Sequence, residues 1–334
     1  MQTHSSSNGA DARLGVVVIG RNEGERLARC LASVLAPSRP VVYVDSGSTD
    51  GSVAKATAAG AVVHALDLRR PFTAARARNE GLQHLLKLAP ALAFVQFVDG
   101  DCELVAGWIG AAAGFLEQHP EMAAVCGRLR ERFPERSVYN LLCDLEWNTP
   151  VGEAKACGGI AMMRTVALRE VGGFRDDLVA GEEPELCVRL RAKGWRIWRL
   201  DAEMGLHDAA MTRFGQWWTR CVRAGFAFAE GMRLHGAPPE RHWVRESRSA
   251  WVWGGLIPLA VVLGVAVAGP SAAWAIAIYP LQVARLALRS AGTRHARWAR
   301  AFFTVAGKFP ELVGQFKSAL LRATRRRATL IEYK

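Results

Sequence analysis

The sequence predicts an α/β domain with a mostly parallel, Rossmann-like sheet flanked by helices, followed by an apolar helical hairpin and a basic amphipathic helix. Three observations predict it. Short apolar, β-branched runs alternate with helix-period segments over the first 235 or so residues. Asn22, Asp45, Asp99 and Asp101 fall at or just after the carboxyl ends of those runs, where open α/β sheets bind ligands. The stretch from Ser249 to Ala284 carries no charge, and arginines stand on both sides of it.

Taken in order, residues 1–13 ("MQTHSSSNGADAR") form a polar tail, neither a signal peptide nor an anchor. "LGVVVIG" (14–20) has the composition of a buried parallel strand. After "RNEGE", Leu27, Leu31, Val34 and Leu35 recur at helical spacing. "PVVYVD" (40–45) is a second strand, and "SGSTDGS" a turn rich in helix-capping residues. "GAVVHAL" is a third strand, "FTAARARNEGLQHLLKL" a helix, and "ALAFVQFV" a fourth strand that ends on "DGD". The domain reading is 14–235 for the α/β domain, divided into halves at 14–103 and 104–235. A hairpin (236–290) and a basic tail (291–334) follow.

Composition narrows the function. A formal charge of +12 calls for an anionic partner. The basic residues crowd the C-terminal third around an apolar stretch, which suits lipid headgroups and not nucleic acid. The seven cysteines show no CxxC, so they read as free thiols, with zinc the lesser alternative. No GxGxxG follows the first strand and no GxxxxGK[ST] occurs anywhere. A bound phosphate must therefore be neutralised by a metal and arginines. Asp99 and Asp101, with only Gly100 between them, repel one another unless a proton or a cation relieves them.

These segments resemble the family 2 glycosyltransferases, over roughly residues 14 to 235. "VVVIGRNEGERLARCLASV", "VYVDSGSTDGS", "ARNEGL", "VDGDCEL", "GGIAMMRTVALREVGGF" and "GEEPELCVRLRAKGWRI" follow the family's order. The resemblance implies a GT-A fold, a nucleotide-sugar donor and a divalent cation, Mn2+ or Mg2+, held by the DxD. Hard carboxylate oxygens suit such ions. It implies Asp101 as a metal ligand and Asp99 on ribose, metal or both. Asp45 is read at the nucleotide base, with an N-cap as the plain alternative. Asn22 and Glu23 are nucleotide contacts by resemblance and loop-and-cap residues by default. Arg76 and Arg78 point about 200° apart on a helix, so one of them, taken as Arg78, faces the diphosphate. His207 is a further residue near the diphosphate or metal.

Glu182 and Glu183 stand at the start of a helix, where the dipole keeps a carboxylate ionised. The family places Glu-Asp there, the second being the base of an inverting displacement. Glu183 takes that position with a side chain one methylene longer, and Glu182 is its alternative. The expected function is a metal-dependent inverting transfer from a nucleotide-sugar, read as a UDP-sugar, to a membrane-associated glycan or lipid-linked acceptor. The alternatives are a membrane-bound pseudo-transferase scaffold and a sugar-1-phosphate nucleotidyltransferase. The latter needs a Gly-rich loop with a basic residue after the first strand, and "IGRNEGE" fits it poorly.

Two spans need about 40 apolar residues plus a turn, so the stretch is slightly short for a hairpin of two full spans. Pro258 and Pro280 bend its helices and keep a re-entrant hairpin open as an alternative. In either case the flanking arginines place both ends, and the catalytic domain, on the cytoplasmic side of the inner membrane. Leu312, Val313, Phe316 and Leu320 line one face of a last helix, suited to a lipid surface or to packing on the domain.

Overall fold

The computed structural model of the chain describes residues 13–324. The polar tail up to residue 12 and the arginines after Thr324 lie outside the described residues. The chain opens with β1 (Leu14–Gly20), α1 (Glu25–Val34), β2 (Val41–Asp45), α2 (Ser52–Ala58) and β3 (Val62–Ala65). Next come α3 (Ala74–Leu88), β4 (Phe94–Asp99), β5 (Cys102–Leu104), α4 (Trp108–Gln118) and β6 (Met122–Glu131). Then follow α5 (Val138–Trp147), β7 (Gly152–Glu153), β8 (Ala161–Arg164), α6 (Thr165–Val171), α7 (Glu182–Ala192) and β9 (Arg196–His207). The remainder is helical: α8 (Phe214–His235), α9 (Val244–Trp251), α10 (Ile257–Ala268), α11 (Ile278–Arg289), α12 (Arg294–Ala306) and α13 (Lys308–Ala323). The chain divides into two compact units. One holds the residues up to Arg132 with Trp147–Ala209, the other Phe133–Glu146 with the chain from Ala210 on.

The first unit is a nine-stranded mixed sheet in the order β3-β2-β1-β4-β8-β6-β9-β5, with β7 paired to β9. The pairs β1–β2, β1–β4, β2–β3 and β6–β9 are parallel. β8 runs antiparallel to both β4 and β6 and joins the two parallel blocks. β1 is a continuous apolar run and β4 is interrupted only by Gln96, which is buried and accepts from the Trp108 indole N–H, so the core lies on either side of the sheet. α3 starts on a true N-cap, the Thr73 hydroxyl accepting from the Arg76 amide. The parallel register sets Gly20 beside Asp45 and Ile19 beside Asp99, so the carboxyl ends of β1, β2 and β4 share one edge. This edge is what the sequence marked with polar residues.

In the second unit α8 and α13 cross at two glycines. A Cβ at Gly225 would lie 1.9 Å from the Glu311 carbonyl oxygen, and one at Gly314 would lie 2.0 Å from that of Val222. Backbone approach that close leaves room for no side chain. Around the crossing, the Ser318 hydroxyl donates to Glu230 and that of Ser247 to Gln315, so the buried polar groups are satisfied. Trp217 is buried here against Phe303.

α9, a π-helical turn (Val252–Leu256) and α10 run on as one helix, Val244–Ala268. The helix is not broken at Pro258. The π turn lies immediately before it, a register change that accommodates the missing N–H. Pro280 lies just past the 3₁₀ segment Pro270–Ala277, where that tighter turn runs on into α11. A second apolar helix spans Pro270–Arg289, and only 6% of each apolar window is buried. Two helices of 25 and 20 residues are each long enough, at about 1.5 Å per residue, to cross a hydrocarbon layer of about 30 Å.

Candidate active site

The strand ends of the first unit gather the acidic residues, and one arginine links two of them. Arg78, in the first turns of α3, is buried. Its Nη2 donates to Asp99 Oδ1 at 2.9 Å and its Nη1 to Glu182 Oε1 at 2.7 Å. Burial works against the charge, but the two carboxylates hold the guanidinium above its ordinary pKa. Gly159 closes the other side, where an added Cβ would lie 2.7 Å from Arg78 Nη2 and 3.2 Å from Asp99 Oδ2. Arg78 was expected to face a diphosphate; in the structure its guanidinium is taken up by two carboxylates. Its guanidinium is committed to orienting Asp99, at the end of β4, and Glu182, at the start of α7.

Asp101 has a different neighbour. β5 pairs antiparallel with β9, Cys102 opposite His207, and this brings His207 Nε2 to 3.3 Å from Asp101 Oδ2. Behind the imidazole, Nδ1 is buried without a hydrogen bond, 3.6 Å from Glu131 Oε2. Glu131 arrives through the parallel β6–β9 register, which sets it beside His207, and it also accepts from the Ala209 amide at 3.1 Å. Trp147 packs edge-on against the imidazole, with centroids 4.6 Å apart.

These residues fit a divalent cation. An octahedral ion with bonds of about 2.1 Å has edges of about 3 Å, close to the Asp101–His207 separation. A ligating imidazole uses its second nitrogen on a carboxylate, the place Glu131 occupies. Carboxylate oxygens with one imidazole suit Mn2+ or Mg2+. The Cys102 thiol also lies within reach, but burial raises its pKa well above the ordinary value, so it remains protonated beside Asp101.

Glu183 is one residue from Glu182 and faces elsewhere. Its Oε1 accepts from the Cys157 amide at 2.7 Å and lies 3.0 Å from the Cys157 thiol and 2.9 Å from the Cys187 thiol. Burial raises its pKa, while the thiols and the amides of Cys157 and Gly158 pull it back down.

The remaining predicted residues divide. The Asp45 carboxylate accepts from the Gly47 and Ser48 amides and from the Tyr43 hydroxyl, so it organises the turn after β2. Asn22, with φ of 56°, accepts from the Thr49 amide and bridges the β1 and β2 loops. Glu23 pairs with Arg26 at 2.8 Å, and its Cγ borders Gly100 between the two aspartates. The Arg76 guanidinium binds Glu80 and the Asp67 and Arg70 carbonyls, and it makes no contact with the acidic cluster. Glu131 and Cys157 are additions the sequence reading did not make. Glu131 closes the strand "MAAVCGRLRE" behind two arginines, the pattern of an ordinary surface charge, and nothing local marked Cys157.

The architecture is that of a GT-A fold. A solved mannosyltransferase from Pyrobaculum calidifontis, in complex with GDP-Man and Mn2+, superposes with a TM-score of 0.62 at 21% identity, over 91% of this chain and 87% of its own. Residues 15–171 match the family described as Glycosyl transferase family 2. No curated protein matches the sequence.

Proposed function

We propose that the chain is a metal-dependent, inverting glycosyltransferase that moves a sugar from a nucleoside diphosphate-sugar, read as a UDP-sugar, to a glycan or lipid-linked acceptor at a membrane. One observation carries the reading. A buried arginine ties the first aspartate of the DGD at β4 to the first glutamate of the GEE at α7, and the second aspartate meets His207. Two halves of the sequence thereby contribute acidic groups to the edge where α/β sheets bind ligands.

Asp101, His207 and Asp99 would hold the cation, which on binding would stabilise the departing diphosphate. Arg78 fixes Asp99 and Glu182, and Glu131 orients His207. Glu183, the second of the two glutamates opening α7, is the base that takes the proton of the acceptor hydroxyl, since Glu182 is tied to the Arg78 guanidinium and Glu183 is not. Asp45 and Asn22 shape the loops toward the nucleotide, and Glu23 lines the DGD.

The exposed apolar helices Val244–Ala268 and Pro270–Arg289 support a membrane anchor. Val313, Phe316 and Leu320 are exposed on α13, which supports contact of that face with lipid, whereas Leu312 is buried. The arginine flanks favour the cytoplasmic face of the inner membrane.

The test is a panel of uridine and guanosine diphosphate-sugars with Mn2+. Slow release of nucleoside diphosphate, abolished by EDTA, is expected. Conversion of the nucleotide-sugar to nucleoside triphosphate and sugar 1-phosphate when inorganic diphosphate is supplied would identify a nucleotidyltransferase, and nucleotide binding without turnover would identify a scaffold.

A further inference from the structure

Cys157, Glu183 and Cys187 bring one ligand atom each together, all three residues buried and each atom within reach of the other two. Glu183 and Cys187 lie one turn apart on the same face of α7, and Cys157 comes from the loop between β7 and β8. The sulfurs are 3.9 Å apart, and Glu183 Oε1 lies 3.0 and 2.9 Å from them. In a tetrahedral zinc site, bonds of about 2.3 Å to sulfur and about 2.0 Å to oxygen give edges of about 3.8 Å between sulfurs and about 3.5 Å from sulfur to oxygen. The sulfur pair already has the metal spacing, and the carboxylate must withdraw by about half an ångström. A disulfide would instead require the sulfurs to close to about 2.05 Å.

We propose that Cys157, Cys187 and Glu183 form a second metal site, selective for thiophilic divalent ions such as Zn2+, whose occupation shuts down transfer. Binding replaces the two thiol protons, which pass to solvent, and leaves two thiolates and one carboxylate around the dication. Metal binding thus removes the penalty of burying thiolates. The donors are soft where those of the Asp101 and His207 pair are hard, so the two sites sort different ions. Occupation acts on the chemistry in two ways. Glu183 becomes a ligand and is withdrawn from proton transfer. The Cys157 segment also continues through Gly158 into Gly159, whose backbone abuts Arg78 and Asp99. Only this inhibitory arm rests on the function proposed above; the metal site stands on its geometry alone.

The experiment titrates Co2+ into purified full-length protein in detergent and reads the thiolate-to-cobalt charge-transfer and tetrahedral d–d bands. One thiolate-bound Co2+ per chain is expected, displaced by Zn2+, kept in Asp101→Ala and lost in Cys157→Ala and Cys187→Ala. Wild-type protein without thiolate bands would overturn the site whatever the stability of the variants, as would bands that persist in both cysteine variants. In parallel, Zn2+ should inhibit the wild type in the presence of excess Mn2+ and leave Cys187→Ala uninhibited. Thiolate bands without inhibition would keep the metal site and overturn the regulatory half of the proposal, together with the assignment of Glu183 as base.

Discussion

At the scale of single residues, two adjacent glutamates have been given separate work by where their carboxylates land. Glu182 pairs with Arg78 at 2.7 Å, whereas Glu183 is buried among thiols and backbone amides. Glu183→Gln should lower kcat by about 10²–10⁴-fold, the usual contribution of a general base, and leave nucleotide affinity intact. Equal losses in both would assign it a structural role. The pH dependence has a definite sign. As the proposed base Glu183 acts ionised, and burial raises its pKa, so the acidic limb of kcat/KM should lie higher than an unperturbed glutamate would put it. The same shift costs stability as pH rises between the unfolded and folded values, because the native state then holds the extra proton. Glu183→Gln should therefore melt no lower than wild type at pH 8, and a marked drop would show that the carboxylate itself is needed for folding. Gly159→Ala should disable the site without unfolding it, since the added methyl lands 2.7 Å from Arg78 Nη2. Activity near wild type would show that the Asp99–Arg78–Glu182 linkage is dispensable.

At the scale of elements, the readable part of the candidate site was the part created by strand ends. Asn22, Asp45, Asp99 and Asp101 follow apolar runs, and a parallel sheet aligns such ends by its own geometry. The contacts that depend on crossings were not readable. Arg78 and Glu182 are 104 residues apart, and Glu183 meets Cys157 across 26. Glu131 reaches His207 only through the β6–β9 register, which passes through irregularities. The rotational argument that Arg76 and Arg78 diverge on their helix agrees with the structure, where Arg76 turns to Glu80. The apolar stretch was legible as two helices, but the π turn that admits Pro258 was not, because a register change leaves no compositional mark. The α8–α13 crossing gives a stability prediction. Gly225→Val places side-chain atoms against the Glu311 carbonyl and should destabilise the second unit by at least the 1–3 kcal/mol typical of overpacking, read by denaturant melts. A change near zero would mean that the helices do not approach closely.

At the scale of the whole molecule, the unit that carries the apolar helices also contains α8, so its fold reaches back before Gly236. Cutting the chain there would strip α13 from α8 and expose their glycine-lined faces. Such a truncation should be less soluble than the intact chain in detergent, and a freely soluble, stable product would contradict the α8–α13 packing. Full-length protein should resist carbonate extraction if the helices Val244–Ala268 and Pro270–Arg289 are membrane-embedded. A monodisperse monomer in plain buffer would remove the membrane from the account. The central claim, however, is cation-dependent transfer at the carboxyl edge of the sheet, and Asp101 is its most direct handle. Turnover of the active nucleotide-sugar should be measured for wild type and Asp101→Ala, with Mn2+ and then with EDTA. Wild-type turnover should collapse in EDTA, while Asp101→Ala should be slower by several kcal/mol of lost leaving-group stabilisation and not be restored by Mn2+. Near-normal turnover of Asp101→Ala in EDTA would contradict the claim.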